Sequence, residues 1–445
     1  MNKDLTVGKT SKVLWIFCLP LFGSVLFQQL YNIADSFVAG HYIGHQALAS
    51  VGNSYEITLI FLAFAFGCNV SSSVIVAQIF GSKRYGKMKT GILTAFLASG
   101  LICLLLMVFG LLFSKRLLLA LQTPSTLMED SLSYLRIYIF SLPFVFYYNL
   151  STGIFSALGD SKTPFLFLVV SSMSNVLMDI FFVKYLKRGV TGLAEATLLC
   201  QGISCLLALY YLSKRLKKIK DQEKGEFFSW SIVRDLAKIA IPSTLQQSFI
   251  SVGNLFIQAM VNSFGIHVMA GYAASVKLNN LLITSLTTFG NGVSSFSGQN
   301  LGAGKTDRIQ EAFHAGLKLV WLIVLPIFLL YFFQGEKLLV FFIEDEAKEA
   351  LAVGKEFLQI LSPFYFVVSV KLLCDGILRG ISKMKEFMIA TFTDLILRVL
   401  LCYIFSRTGL ASRGLWLGWP VGWLAGMVLS YYYFKTTKWS SYVYE

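Results

Sequence analysis

Apolar runs too long and too numerous for a soluble core constrain this chain more than any motif in it. About twelve stretches of roughly 20 or more mainly apolar residues follow one another with short polar breaks, and about 20 such residues span a bilayer as a helix. They cover residues 13–38, 47–80, 88–113, 131–157, 163–184, 190–213, 236–262, 268–300, 310–333, 353–377, 387–406 and 414–434. Only 14% of the residues are charged, against about 25% in a typical soluble globular chain. The first run is longer than a signal-peptide core and lacks a small-residue cleavage site, so it reads as retained. The expectation is an all-α protein of the cell membrane with twelve transmembrane helices.

A net charge of +14 raises the possibility of nucleic acid as a partner. The positions of the 38 basic residues argue against it. With the N-terminus placed inside, most of them fall in inner segments, as the positive-inside rule requires, and both termini are expected to be cytoplasmic. The densest run, KRLKKIKDQEK from Lys214, reads as a topology signal and solvated linker with anionic lipid headgroups as its secondary partner. The seven cysteines all lie within spans at irregular spacing, so neither a disulfide framework nor a zinc site is indicated. Four scattered histidines, of which only His41 and His45 are close together, add no metal site.

The chain also repeats itself, with an offset of about 221 residues. Pro20 pairs with Pro242, Asn32 with Asn254, Ser73 with Ser294, Gln78 with Gln299, and Gly81 with Gly302. GDSK at Gly159 falls on GISK at Gly380, and Gly192 falls on Gly414. The expected organisation is therefore an N-terminal six-helix lobe over 1–213, a cytoplasmic basic linker over 214–234 and a C-terminal six-helix lobe over 235–445. Because six is even, the second half enters the membrane the same way up as the first. Such parallel repeats, related by an axis along the membrane normal, are transporter architecture around a central cleft. GQNLGAGKT at Gly298 resembles a phosphate loop but has five residues between its first glycine and the Gly-Lys pair, where that loop has four. Its repeat partner AQIFGSKRY lacks the pattern, so both read as a helix end, a glycine stop and a basic inner loop. Without a nucleotide motif, an ion gradient is the expected energy source.

Acids inside such spans are costly, by about 2.5 to 3.5 kcal/mol each at a helix centre, and so mark function. Asp35 lies roughly 33 Å along the first helix at 1.5 Å per residue. On the fifth helix, Asn175 and Asp179 are four residues apart and share a face. Thr197 on the sixth helix reaches a comparable depth. Two carboxylates, an amide and a hydroxyl are oxygen ligands suited to hard cations. Two carboxylates in a poorly hydrated pocket cannot both ionise cheaply, so the set suits Na⁺, H⁺ or competition between them. The alternative is that each group bonds only a neighbouring helix.

LYNIADSFVAGHYIGHQALASVG from Leu30, GQNLGAGKTDR from Gly298 and the doubled six-helix plan resemble the multidrug and toxic compound extrusion (MATE) family over essentially the whole chain. The resemblance implies an antiporter in which cation entry drives export of organic, often lipophilic cationic, compounds by alternating access. It is closest to the DinF-like branch, whose N-terminal cation site implies roles for Asp35, Asn175, Asp179 and Thr197, with Asn149 as the candidate for a further asparagine in helix four. The seventh helix contains no acid, so the glutamate of the NorM-type branch has no counterpart. Glu195 stands where the family has a small or apolar residue.

Other polar groups carry two readings each. Lys371 with Asp375 and Asp394 with Arg398 are four residues apart and can simply neutralise each other. Alternatively they form a charged cavity wall, with Asp375 available to an organic cation. Gln28, Tyr31, Asn32 and Lys277 are further candidate substrate or cavity contacts; Glu56 has no assigned role. Aromatic residues, 15% of the chain, can hold lipophilic cations through their ring faces. Pro20 and Pro242 each remove a helical hydrogen bond and are candidate hinges. No cofactor beyond the coupling ion is expected, and a monomer is expected to function. A flippase of lipid-linked intermediates is the alternative transporter; a membrane-embedded aspartyl enzyme using Asp35 and Asp179 is the remote one.

Overall fold

Helices account for the regular structure of the computed structural model, which describes residues 4–38, 42–43, 45–219, 225–342 and 347–439, with the side chains of 31–38 and 45–49 outside that description. The first half contains α1 (Thr10–Val38), α2 (His45–Gly81), α3 (Tyr85–Ala120), α4 (Ser125–Ala157), α5 (Lys162–Ile180) and α6 (Gly189–Lys218). The second half contains α7 (Trp230–Asn262), α8 (Ile266–Gly302), α9 (Thr306–Leu339), α10 (Lys348–Leu361), α11 (Tyr365–Gly380), α12 (Met384–Ser406) and α13 (Ser412–Lys435). A single 3₁₀ turn, Ser362–Phe364, separates α10 from α11. It contains Pro363, which cannot supply the backbone N–H that an unbroken helix needs. The pair forms one passage, Lys348–Gly380, and gives twelve passages among the described residues.

Nine of these passages are long and apolar enough to cross a membrane on that ground alone. The others, α7, α8 and α13, are diluted by Asn, Gln, Ser, Gly and Tyr. The repeat is visible in the helices themselves, since α2 and α8 are both 37 residues long. Both end at glycine, and the chain then turns through the left-handed region at Lys83 (φ 60°) and Gly304 (φ 69°). The near phosphate loop is thus a helix stop, as its sequence suggested.

The chain divides into two compact units whose boundaries lie inside α1 and α7. The first consists of Met1–Asp4 and Leu19–Thr244, the second of Leu5–Cys18 and Leu245–Glu445. These boundaries differ from the expected division at 214–234 for a physical reason. In the second unit, the Leu5 amide donates to Gln299 Oε1 at 3.0 Å, Lys305 Nζ to the Thr6 carbonyl at 2.9 Å, and Arg308 Nη1 to the Gly8 carbonyl at 2.7 Å. Thr10 Oγ1 then donates to Glu311 at 2.6 Å. The GQNLGAGKTDR segment therefore anchors the beginning of the chain. In the first unit, Lys89 Nζ donates to the Ile219 carbonyl at 2.9 Å and the Ser229 amide to Thr94 Oγ1 at 3.1 Å, which secures the approach to α7. Pro20 and Pro242 each lie within three residues of the point where their helix changes unit.

Within the first unit, α2, α3 and α4 share a core of Ile57, Phe61, Leu118, Leu135, Ile139 and Phe146. Helix association in lipid gains little from burying apolar surface, because lipid tails are apolar too, so close packing and small residues must supply it. The second unit shows how. Gly414, Gly418, Gly422 and Gly426 recur every fourth residue and lie on one face of α13. A Cβ at Gly414 would lie 2.3 Å from the Phe405 backbone, at Gly418 2.5 Å from Cys402 Sγ, and at Gly422 2.8 Å from the Asp394 carbonyl oxygen. At Gly426 it would lie 2.6 Å from Lys371 Cε. Only glycine lets α12 and the lysine of α11 approach α13 this closely.

Candidate functional site

On α5, the spacing of Asn175 and Asp179 does what the sequence implied. Both are buried, with Asp179 fully so. Cys200 of α6 places its thiol beside the Asn175 amide, with Asp179 close enough to act on it electrostatically. Among the described residues the Asn175 amide has no oxygen or nitrogen partner. Thr197, half-buried, lies three residues before Cys200 and so on nearly the same face of α6. Directly after Asp179, the helix widens into a π turn over Phe181–Tyr185. Such turns distort the regular hydrogen-bond ladder and occur often at functional sites. Neither Cys200 nor the π turn was singled out in the sequence; a cysteine three residues from Thr197 was the available signal.

The remaining members of the expected set divide. Asp35 lies in α1, but its side chain, like those of Tyr31 and Asn32, lies outside the described residues. Asn149 donates its amide to the Val145 carbonyl of its own helix at 2.8 Å, while its backbone carbonyl accepts from Asn69 Nδ2 at 2.6 Å. Neither bond reaches α5 or α6. Glu195 does not stand alone: Oε1 accepts from Arg188 Nη2 at 2.7 Å near the start of α6. Gln28, Glu56 and Lys277 are exposed on their helices, and the Lys277 ammonium stands 5.5 Å above the Phe342 ring.

The second unit holds a different assembly, in which both i,i+4 pairs form and are joined across helices. Lys371 Nζ donates to Asp375 Oδ2 at 2.8 Å and lies 3.5 Å from Asp394 Oδ2. Arg398 Nη2 donates to Asp394 Oδ1 at 3.2 Å, and its guanidinium lies 4.9 Å from the centre of the Trp419 ring. Ser430 Oγ of α13 donates to Asp375 Oδ1 at 2.6 Å. All four charged side chains are buried. Nearby on α11, Arg379 donates to Asn291 Oδ1 of α8 at 2.8 Å. The Lys371–Asp394 contact and the part played by Ser430 join separate helices, and residue spacing along one helix could not announce them.

The MatE family profile matches residues 20–181 and 242–404, one match in each half. The chain belongs to the MATE family. This is a family of membrane transporters, not of enzymes, so the aspartyl-enzyme alternative falls. A probable multidrug resistance protein of Bacillus subtilis, YpnP, is 28% identical, with 98% of each chain covered. An FAD transporter of Shewanella oneidensis is 23% identical over 69% of each chain. The fold superposes on an outward-facing multidrug resistance MATE transporter of the MOP superfamily with a TM-score of 0.91, at 21% identity and with 99% of this chain and 98% of that one covered. The all-α, twelve-passage architecture expected from the apolar runs is the architecture of this family.

Proposed function

We propose that this MATE protein is a secondary active antiporter that exports small organic compounds, commonly lipophilic cations, in exchange for Na⁺ or H⁺. The observation that carries the reading is the buried Asp179 carboxylate beside an Asn175 amide that has no oxygen or nitrogen partner among the described residues, facing α6 at the turn that holds Thr197. A carboxylate in such a place stabilises an entering cation, and the amide and hydroxyl oxygens complete a hard-ion ligand set. The multidrug resistance relatives support export of organic compounds, and the distribution of basic residues supports two cytoplasmic termini. The protein acts as a monomer in the cell membrane.

Asp35 completes the site, as the resemblance to the DinF-like branch implies. Neutralising it changes the balance of α1, the helix that passes from one compact unit to the other beside Pro20. Ser24 Oγ donates to the Pro20 carbonyl at 3.0 Å, in the turn after the one where proline removes the hydrogen bond to the Ile16 carbonyl. Cation entry and bending of α1 are thereby coupled, and alternating access follows with substrate release. The test is transport of a fluorescent organic cation by purified protein in proteoliposomes, with Na⁺ and pH gradients imposed separately. Wild type responds to at least one gradient; Asp35→Asn and Asp179→Asn insert normally, having lost a costly membrane charge, but lose the gradient dependence. Wild-type rate and full gradient dependence in both variants would refute the site.

A further inference from the structure

The charge network of the second unit has the form of a cation site with the cation already attached to the protein. Each of its two carboxylates fixes one oxygen outward and turns the other toward a single atom. Asp375 accepts from Ser430 with Oδ1 and from Lys371 with Oδ2; Asp394 accepts from Arg398 with Oδ1 and faces Lys371 with Oδ2. The convergence point is Lys371 Nζ, 2.8 Å from one carboxylate and 3.5 Å from the other. The lysine stem runs through a slot that Gly426 keeps open, since a Cβ there would lie 2.6 Å from Cε and 3.1 Å from Cδ. Burial adds the energetic requirement. The two acids are 1% and 3% exposed, and a buried carboxylate whose partner is removed is strongly disfavoured.

The sequence repeat shows that this chemistry belongs to one half alone. By the offsets that align GDSK with GISK and Gly192 with Gly414, Lys371, Asp375, Asp394, Arg398 and Ser430 correspond to Leu150, Ile154, Met173, Leu177 and Ala208. Conversely Asp35, Asn175, Asp179 and Thr197 correspond to Ile257, Ile396, Leu400 and Trp419. The first-half set named from the sequence consists of two acids and two neutral oxygen ligands. The second-half set contains two acids bonded to two bases, with Arg379 a further base on α11.

We infer that Lys371 is a tethered counter-cation: its ammonium holds the place a monovalent ion would otherwise take between Asp375 and Asp394, so that the second unit stays in a permanently loaded state and takes no part in ion exchange. The inference rests on the reading of the first half as the ion-coupled one. Its consequence is specific. Removing the ammonium leaves a slot and two inward carboxylate oxygens, with Arg398 bonded to only one of the two acids, which is a site for Na⁺, K⁺ or a proton.

The experiment uses the full-length purified protein in lipid nanodiscs. Tryptophan fluorescence and thermal unfolding are followed while choline is replaced by Li⁺, Na⁺ or K⁺, and separately while pH is lowered. Trp419 stands against Arg398 and Trp423 packs against Trp419, so fluorescence reports on the network directly. Lys371→Ala is expected to gain a saturable shift in emission and a rise in thermal midpoint with one of these cations or with protons, as binding to the folded state alone requires. Lys371→Ala combined with Asp375→Asn is expected to lose that gain, and Lys371→Arg never to show it. A folded Lys371→Ala protein that responds no more than wild type to every cation and to pH would overturn the inference. Should Lys371→Ala fold only in one salt or at low pH, the site is filled from solution and the inference stands. If it folds in none, a second arm decides. In Asp35→Asn/Asp179→Asn protein with Lys371 intact, no ion response is expected; a response that Asp375→Asn removes would show that the second unit binds ions by itself, and the idea would be wrong. Failure of the first-half site appears separately, as wild-type transport that ignores both gradients.

Discussion

Gly418→Ala tests the seam on which the second unit's charges are assembled. The added Cβ would lie 2.5 Å from Cys402 Sγ, 2.7 Å from the Cys402 backbone nitrogen and 3.0 Å from the Arg398 carbonyl oxygen. Two of these neighbours are backbone and cannot rotate away. Ordinary non-bonded contact begins near 3.5 Å, so α12 and α13 must separate by on the order of 1 Å. Overpacking of this kind costs about 1 to 3 kcal/mol. Replacing glycine by alanine within a helix returns up to about 1 kcal/mol, which leaves a net loss of roughly 0 to 2 kcal/mol when that gain is fully realised. The separation falls beside Arg398 and one turn from Asp394, so the ion network loosens with it. Gly52→Ala is the control, because among the described residues a Cβ there meets nothing within 4 Å and only the helix-propensity gain remains. Thermal unfolding of the two variants in the same detergent, followed by transport in proteoliposomes, gives the comparison. Gly418→Ala is expected to unfold below wild type and to transport poorly, and Gly52→Ala to match or exceed wild-type stability. A Gly418→Ala protein that is as stable as Gly52→Ala and fully active would show that the glycine face is not a steric requirement.

Two other substitutions probe contacts that the sequence did not reveal. Arg308→Ala removes donors to the Leu5 and Gly8 carbonyls and to Asn300 Oδ1; the chain before α1 should then be cut faster by limited proteolysis, and an unchanged cleavage rate would mean that this anchor contributes nothing. Arg188→Ala breaks the pair with Glu195, in which the arginine is 52% exposed. Solvent-exposed pairs contribute about 1 kcal/mol at most, so stability and Na⁺ or pH dependence of transport should stay close to wild type; a changed ion dependence would place Glu195 in the coupling site.

Helical passages, the repeat and the glycine stop after α8 were legible because each follows from local composition or from pairing one half with the other. Asn175 and Asp179 were legible for the same reason, since four-residue spacing fixes a common face. The glycine face of α13 was not singled out, although GLWLGWPVGWLAG carries its signal, small residues at every fourth position that permit close helix approach in lipid. Contacts between distant segments were not. Nothing local in GQNLGAGKTDR says that its Gln299, Asn300, Lys305 and Arg308 hold residues 5–8, although a basic, hydrogen-bond-rich helix end needs partners of some kind. The cross-helix contact of Lys371 with Asp394 was hidden for a further reason: each residue already had an i,i+4 partner that accounted for its charge.

The two halves show how one scaffold accommodates two opposite answers to a buried acid. Both were built on the same six-helix plan, so a carboxylate introduced in either half meets the same penalty for lying away from water. In the first half, the site proposed at Asp179 takes Asn175 and Thr197 as neutral oxygen ligands, and on that reading a cation from solution supplies the charge. In the second half, Lys371 and Arg398 supply charge from the chain itself, and the glycines of α13 make room for it. An external ion can report a gradient only where the protein has not already neutralised the acid. Two open sites would make each turnover depend on two independent loading events, whereas one open site and one filled internally tie the cycle to a single ion-binding step. On the proposed reading, the asymmetry of the charges, on a backbone that is otherwise repeated, is what lets a twofold scaffold carry coupling in one half.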